Sequence, residues 1–148
     1  MNVRREITLP APASAVYRAW LEPEILRRWL APGSSECTRA EVDERVGGSF
    51  RIWQEQDGRP IGGFDAEILE LVPDRRIVWR WGMTGPESEQ MFDSTLTVTL
   101  EDTPDGGTQL RLTHERLDQL AAAMPEVAAQ FGAGWEDVLH KLAVVVKQ

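Results

Sequence analysis

What most constrains this chain is one long helical stretch near its C-terminal end, residues 125–146, preceded almost wholly by short alternating segments. Val127, Phe131, Trp135, Val138, Leu142 and Val145 recur at helical spacing with Leu139 beside them, while Glu126, Gln130, Glu136, Asp137, Lys141 and Lys147 fall mainly elsewhere. The helix so predicted has one wide apolar face that something must cover. Pro125 suits a first helical turn, where its missing N–H costs nothing, and Lys141 and Lys147 lie toward the end where the helix dipole favours cations. Gly132 and Gly134 each cost about 1 kcal/mol relative to alanine inside a helix. They are expected to loosen it beside Trp135, or to admit another backbone or a ligand.

The covering material lies upstream. Residues 3–9 alternate Val3, Ile7 and Leu9 with Arg4, Glu6 and Thr8 and predict a first strand, ended by Pro10 and Pro12. Two short helices follow, one from Ala13 or Ser14 to a break at Glu22-Pro23, the other from Pro23 through Trp29 to Pro32-Gly33. Strand signals then occupy residues 36–44, 49–55, 61–71, 76–81 and 91–101, and a last strand carries Leu110, Leu112 and His114. Val46-Gly47-Gly48, Asp57-Gly58, Pro73-Asp74 and Asp105-Gly106-Gly107 supply the turns between them. Connections this short imply an antiparallel sheet, because parallel neighbours need long crossovers. Residues 82–90, with Gly85-Pro86 and two glutamates, read as a mobile loop at the sheet's rim. The expected fold is α+β in one domain over residues 1–148: a curved antiparallel sheet of six or seven strands around the C-terminal helix, with two short helices after the first strand.

Alternation proposes what faces the helix. With Arg51 and Arg80 pointing to water, their neighbours Phe50, Ile52, Trp79 and Trp81 point inward, joined by Phe64, Ala66, Leu112 and His114. From the helix, Phe131, Trp135 and Leu139 face the same space. Six tryptophans in 148 residues make an aromatic interior available, and Trp79 and Trp81 beside Trp135 are the candidates for a stacking wall.

Chemistry-bearing residues are sparse. His114 is the inward-facing group with a physiological pKa and the candidate acid or base, but it has no evident partner, so no residue is assigned as catalytic. Asp65 and Glu67 form an apparent carboxylate pair on positions expected to face solvent. His114, His140 and Cys37 are too scattered for a metal site, and Gly132-Ala133-Gly134 lacks the third glycine and preceding strand of a dinucleotide loop, so no metal or cofactor is expected. The lone Cys37 reads as an inert thiol. A net charge of −8 disfavours nucleic acid and anionic lipid surfaces. No apolar run approaches the roughly 20 residues of a membrane span, nor does the N-terminus resemble a signal peptide, so a cytoplasmic protein is expected.

Several pieces, in order, carry a resemblance. They are Arg28-Trp29-Leu30-Ala31-Pro32-Gly33; Asp43, Arg45, Gly47 and Gly48 as D-x-R-x-G-G; Pro73, Arg75, Arg76 and Ile77; Gly107-Thr108-Gln109-Leu110 with Leu112-Thr113-His114; and Gly134-Trp135 with Leu139 and Leu142. Together they span nearly the whole chain and resemble the START-like, or SRPBCC, superfamily, in its bacterial branch related to activators of the ninety-kilodalton heat-shock chaperone's ATPase. The resemblance implies a helix-grip fold whose cavity, between sheet and long helix, commonly receives an apolar small molecule. Leu30 stands where the family often has a second tryptophan, so that part of the wall is expected to be less aromatic. The leading expectation is binding of an apolar, aromatic or polyketide- or lipid-like molecule by a non-enzymatic or weakly enzymatic cavity protein. The alternatives are a cyclase- or hydrolase-type enzyme using His114, and a co-chaperone or protein-interaction domain making chaperone or homodimer contacts.

Overall fold

The computed structural model describes residues 2–85, 88–123 and 125–147. In chain order its elements are β1 (Val3–Leu9), α1 (Ala13–Ala19), α2 (Pro23–Leu26), β2 (Glu36–Val42), β3 (Ser49–Gln56), β4 (Arg59–Val72), β5 (Arg76–Gly85), β6 (Ser88–Asp102), β7 (Thr108–Glu115), α3 (Asp118–Ala123) and α4 (Pro125–Lys147). Among the described residues the seven strands form one sheet, ordered β1-β7-β6-β5-β4-β3-β2, and every neighbouring pair is antiparallel. The sheet curls around α4, the α+β helix-grip arrangement expected from the order of elements.

Local chemistry explains the turns. Asp57 and Gly58 both adopt positive φ, 53° and 77°, as a tight hairpin of matching twist requires, and they join β3 to β4. At Gly48 a Cβ would stand 2.0 Å from the Asp43 carbonyl oxygen, so only glycine lets the chain fold back this closely between β2 and β3. In β6, Ser94, Leu96, Val98 and Leu100 are buried while Thr95, Thr97 and Thr99 are not, the period-two pattern of a strand with one covered face.

Two expectations are corrected. Residues 82–90 are not a loop throughout: β5 runs to Gly85, β6 begins at Ser88, and these two residues pair. Gly82 and Met83 pair with Asp93 and Phe92 as well, with a register irregularity between Met83 and Gly85, so the ladder continues here despite the weak strand preference of glycine. Residues 86 and 87 of that stretch lie outside the described residues. The short helix α3 was not anticipated.

The long helix α4 is continuous through Gly132 and Gly134. Trp135, Val138, Leu139 and Leu142 are buried along one face, which packs on β1 and on α1 and α3. The Arg5 guanidinium from β1 lies over Gly132, 2.4 Å from where a Cβ would stand. Leu26 of α2, together with Trp20 and Leu21 between the two helices and Trp29 just after α2, joins the same core. The Trp29 indole N–H donates to the Ala19 carbonyl at 3.1 Å, tying the α2 region to the end of α1.

Candidate functional site

Beneath α4 the inward alternation of the strands gathers a continuous cluster of rings. Trp79 lies 5.5 Å from Trp20, 5.4 Å from Phe50 and 5.8 Å from Trp81, measured between ring centroids. Trp81 in turn lies 4.6 Å from Phe64 and 5.7 Å from Trp135. These separations fall within the range of favourable offset and edge-to-face pairs. Trp53 is the exception, standing on the outer face with the guanidinium groups of Arg39 and Arg51 at 4.7 and 5.1 Å from its ring.

His114 is fully buried in this cluster, and both of its ring nitrogens are engaged. The Trp135 indole N–H donates to Nδ1 at 3.0 Å, which requires that Nδ1 carry no proton. The proton therefore sits on Nε2 and is donated to the Ser94 hydroxyl at 2.6 Å, and that hydroxyl donates to the Trp81 carbonyl at 2.8 Å. The relay joins α4, β7, β6 and β5 through one neutral imidazole. Burial pushes the His114 pKa down to about 4, and a second proton on Nδ1 would face the Trp135 N–H. With no free nitrogen and no exposure, this side chain is built to hold the helix on the sheet rather than to exchange protons.

An apolar cleft of about 160 Å³ opens where the cluster reaches the surface, lined by Leu30, Pro32, Gln54, Phe64, Gln130, Phe131, Gly134, Trp135 and Val138. Its outer wall is the segment after α2. Gln54 donates to the Leu30 carbonyl at 3.1 Å, Lys141 donates to the carbonyls of Ala31 and Gly33, the latter at 2.7 Å, and the Gly33 N–H donates to Asp137 at 2.5 Å. One turn of α4 thus pins the segment that forms the cleft's lip. A larger cleft, about 630 Å³, lies beside the same segment, but Glu24, Arg27, Arg28, Glu36 and Lys141 line it and make it mixed in charge. Of the two, the smaller is the candidate site, since its apolar lining runs straight into the aromatic cluster.

The ten side chains proposed from the sequence divide between two positions. Phe64 and Phe131, both half-buried, line the cleft together with Trp135. Phe50, Ile52, Trp79, Trp81, Leu112, His114 and Leu139 are buried behind them, part of one packed core. Leu30, Pro32, Gln54, Gly134 and Val138 were not among the proposed lining. Gln54 carried a signal, a polar residue in phase with inward Phe50 and Ile52, and so did Ser94, in phase with Leu96 and Val98. Asp65 and Glu67 face outward beside Arg51 and Arg80, at 3.9 and 3.3 Å, exposed pairs that contribute little. Burial pushes the Cys37 thiol up to about 11, which leaves it an unreactive thiol. Among the described residues no three His, Cys, Asp or Glu side chains come together to hold a metal ion, and no helix is long and apolar enough to cross a membrane.

Comparison with known proteins adds the following. A family model described as Activator of Hsp90 ATPase homolog 1-like protein matches residues 10–147. Among solved structures, protein CV1439 from Chromobacterium violaceum is 30% identical with a TM-score of 0.78, covering 100% of this chain and 99% of its own. DynU16, described as a protein in the dynemicin biosynthetic locus, is 23% identical with a TM-score of 0.73, covering 99% of this chain and 47% of its own. The Aha1 dimer from Colwellia psychrerythraea is 20% identical with a TM-score of 0.66, covering 99% of this chain and 96% of its own. A comparison with curated proteins returns no match.

Proposed function

Since the chain belongs to the family of Activator of Hsp90 ATPase homolog 1-like proteins, we propose that it binds an apolar, aromatic or polyketide-like small molecule at the cleft between the sheet and α4. The observation that carries this reading is the continuity of an apolar mouth with an aromatic interior. Phe64 and Phe131 are half-buried at the mouth, and directly behind Phe64 stands Trp81, so an entering ring system meets aromatic faces along its whole path. A cleft of about 160 Å³ is smaller than the roughly 300–1,000 Å³ of drug-sized sites. Larger ligands therefore require Phe64 or Phe131 to swing aside, and their partial exposure leaves room for it.

The origin of DynU16, a biosynthetic locus, agrees with a small-molecule role for this fold. An enzyme reading that uses His114 finds no support in the geometry, because the imidazole has both nitrogens committed inside the core. The test is titration with a panel of flavonoids, fatty acids and aromatic polyketides, followed by tryptophan fluorescence and thermal shift. Saturable quenching with a raised melting temperature is expected for at least one ring-bearing ligand. No response to any member overturns the reading, and recovery of a chaperone by pulldown would then move it to a protein-interaction domain.

A further inference from the structure

We infer that the molecule taken up beneath α4 carries a hydrogen-bond acceptor, a carbonyl or ring-bound oxygen, and that the indole N–H of Trp81 donates to it. This deepens the binding reading above and rests on it. The inference comes from polar atoms the core leaves unmatched. Two buried tryptophans have settled donors, Trp29 on the Ala19 carbonyl and Trp135 on His114. Three do not: the indole N–H groups of Trp20, Trp79 and Trp81 are buried with no hydrogen-bond partner among the described residues.

Unmatched donors of this kind are rare in a native interior, where more than about nine in ten buried polar groups are paired. Phenylalanine would fill similar space without the penalty. Edge-to-face neighbours, such as Trp79 and Trp81 with ring planes at 79°, offer at most a weak N–H···π contact in exchange. Placement then singles out one of the three. Trp81 touches two residues of the cleft wall, Phe64 and Trp135, and lies a single ring behind the opening. Trp79 packs one ring deeper, behind Trp81 and Phe50. Trp20 touches the wall residue Trp135 at 6.3 Å and is otherwise enclosed by Trp29 and Trp79. A ligand that displaces Phe64 reaches Trp81 first.

A purely apolar interior would rank ligands the other way. A carbonyl gives up its water on entering and, with no donor waiting, binds more weakly than the matching hydrocarbon. The experiment is isothermal titration of the full chain with α-tetralone and with tetralin, which share a skeleton and differ by one carbonyl. The ketone is expected to bind about tenfold tighter, the effect of one hydrogen bond gained. Trp81→Phe should bring the two within about threefold by weakening the ketone alone. A nitrogen–proton correlation spectrum of the unmutated protein supplies a second readout: the Trp81 indole signal should move downfield with the ketone and not with the hydrocarbon. Tighter binding of tetralin, or equal binding with no such movement, overturns the inference and leaves the binding reading intact. Absence of binding by either compound overturns both.

Discussion

The aromatic interior has two ends that look alike in composition and differ in how they are held. At the deep end Trp20, Trp79 and Phe50 are no more than 1% exposed, and the His114 relay fastens the neighbouring strands to α4 by hydrogen bonds on both ring nitrogens. At the cleft end Phe64 and Phe131 are only half-buried, and what encloses them is a segment held by Lys141, Asp137 and Gln54. Rings at the first end contribute stability through packing. Rings at the second have space to move. Trp135 belongs to both, donating to His114 while its face lines the cleft.

Truncation should separate the ends most clearly. Trp79→Ala leaves a large void in a tightly packed cluster and is expected to cost about 3–5 kcal/mol in urea denaturation. Phe64→Ala should cost about 1–2 kcal/mol, because part of its ring already faces water. Equal losses would erase the distinction.

Acid should expose the deep end next. The folded state holds His114 neutral down to about pH 4, whereas an unfolded histidine takes up its proton near its ordinary value of about 6.5. Between those values the unfolded chain binds a proton that the folded chain refuses, so this contribution is intact above about pH 6.5 and is lost as pH falls toward 4. The loss approaches about 3 kcal/mol and then levels off. Denaturation midpoints of His114→Gln across that window should fall less steeply with acid than those of the unmutated protein; parallel slopes would remove the histidine from the account.

The smallest effect lies at the cleft border. Gly134 sits within α4, where an added Cβ meets nothing within 4 Å. Gly134→Ala should therefore raise stability by up to about 1 kcal/mol through helix propensity alone. A drop would mean the border is closely packed after all.

Much of this was readable from residue order. The turn dipeptides worked because few residues tolerate the φ they adopt, as at Asp57-Gly58, and the alternation of Leu96, Val98 and Leu100 gave the covered face of β6 directly. What stayed hidden depends on contacts between distant positions. The lip of the cleft is placed by hydrogen bonds spanning 104 and 108 residues from α4 to Gly33, which no local pattern encodes. The partner of His114 on the helix is likewise a tertiary matter, although Ser94, a polar residue on an inward position, marked where the imidazole could be satisfied. Alternation showed which rings face inward, but the cleft end was decided by where Leu30 and Pro32 come to rest.

The most direct test of the central claim is native mass spectrometry of the chain purified from its own host, beside the same chain carrying Gly134→Leu. The account predicts a stoichiometric small molecule, bearing rings and at least one oxygen, on the unmutated protein, and its weakened retention by a folded variant that carries a bulky side chain at this lining position. An unmutated protein that arrives empty and stays unresponsive to the ligand panel would contradict it, leaving Trp79, Trp81 and Trp135 as core and nothing more.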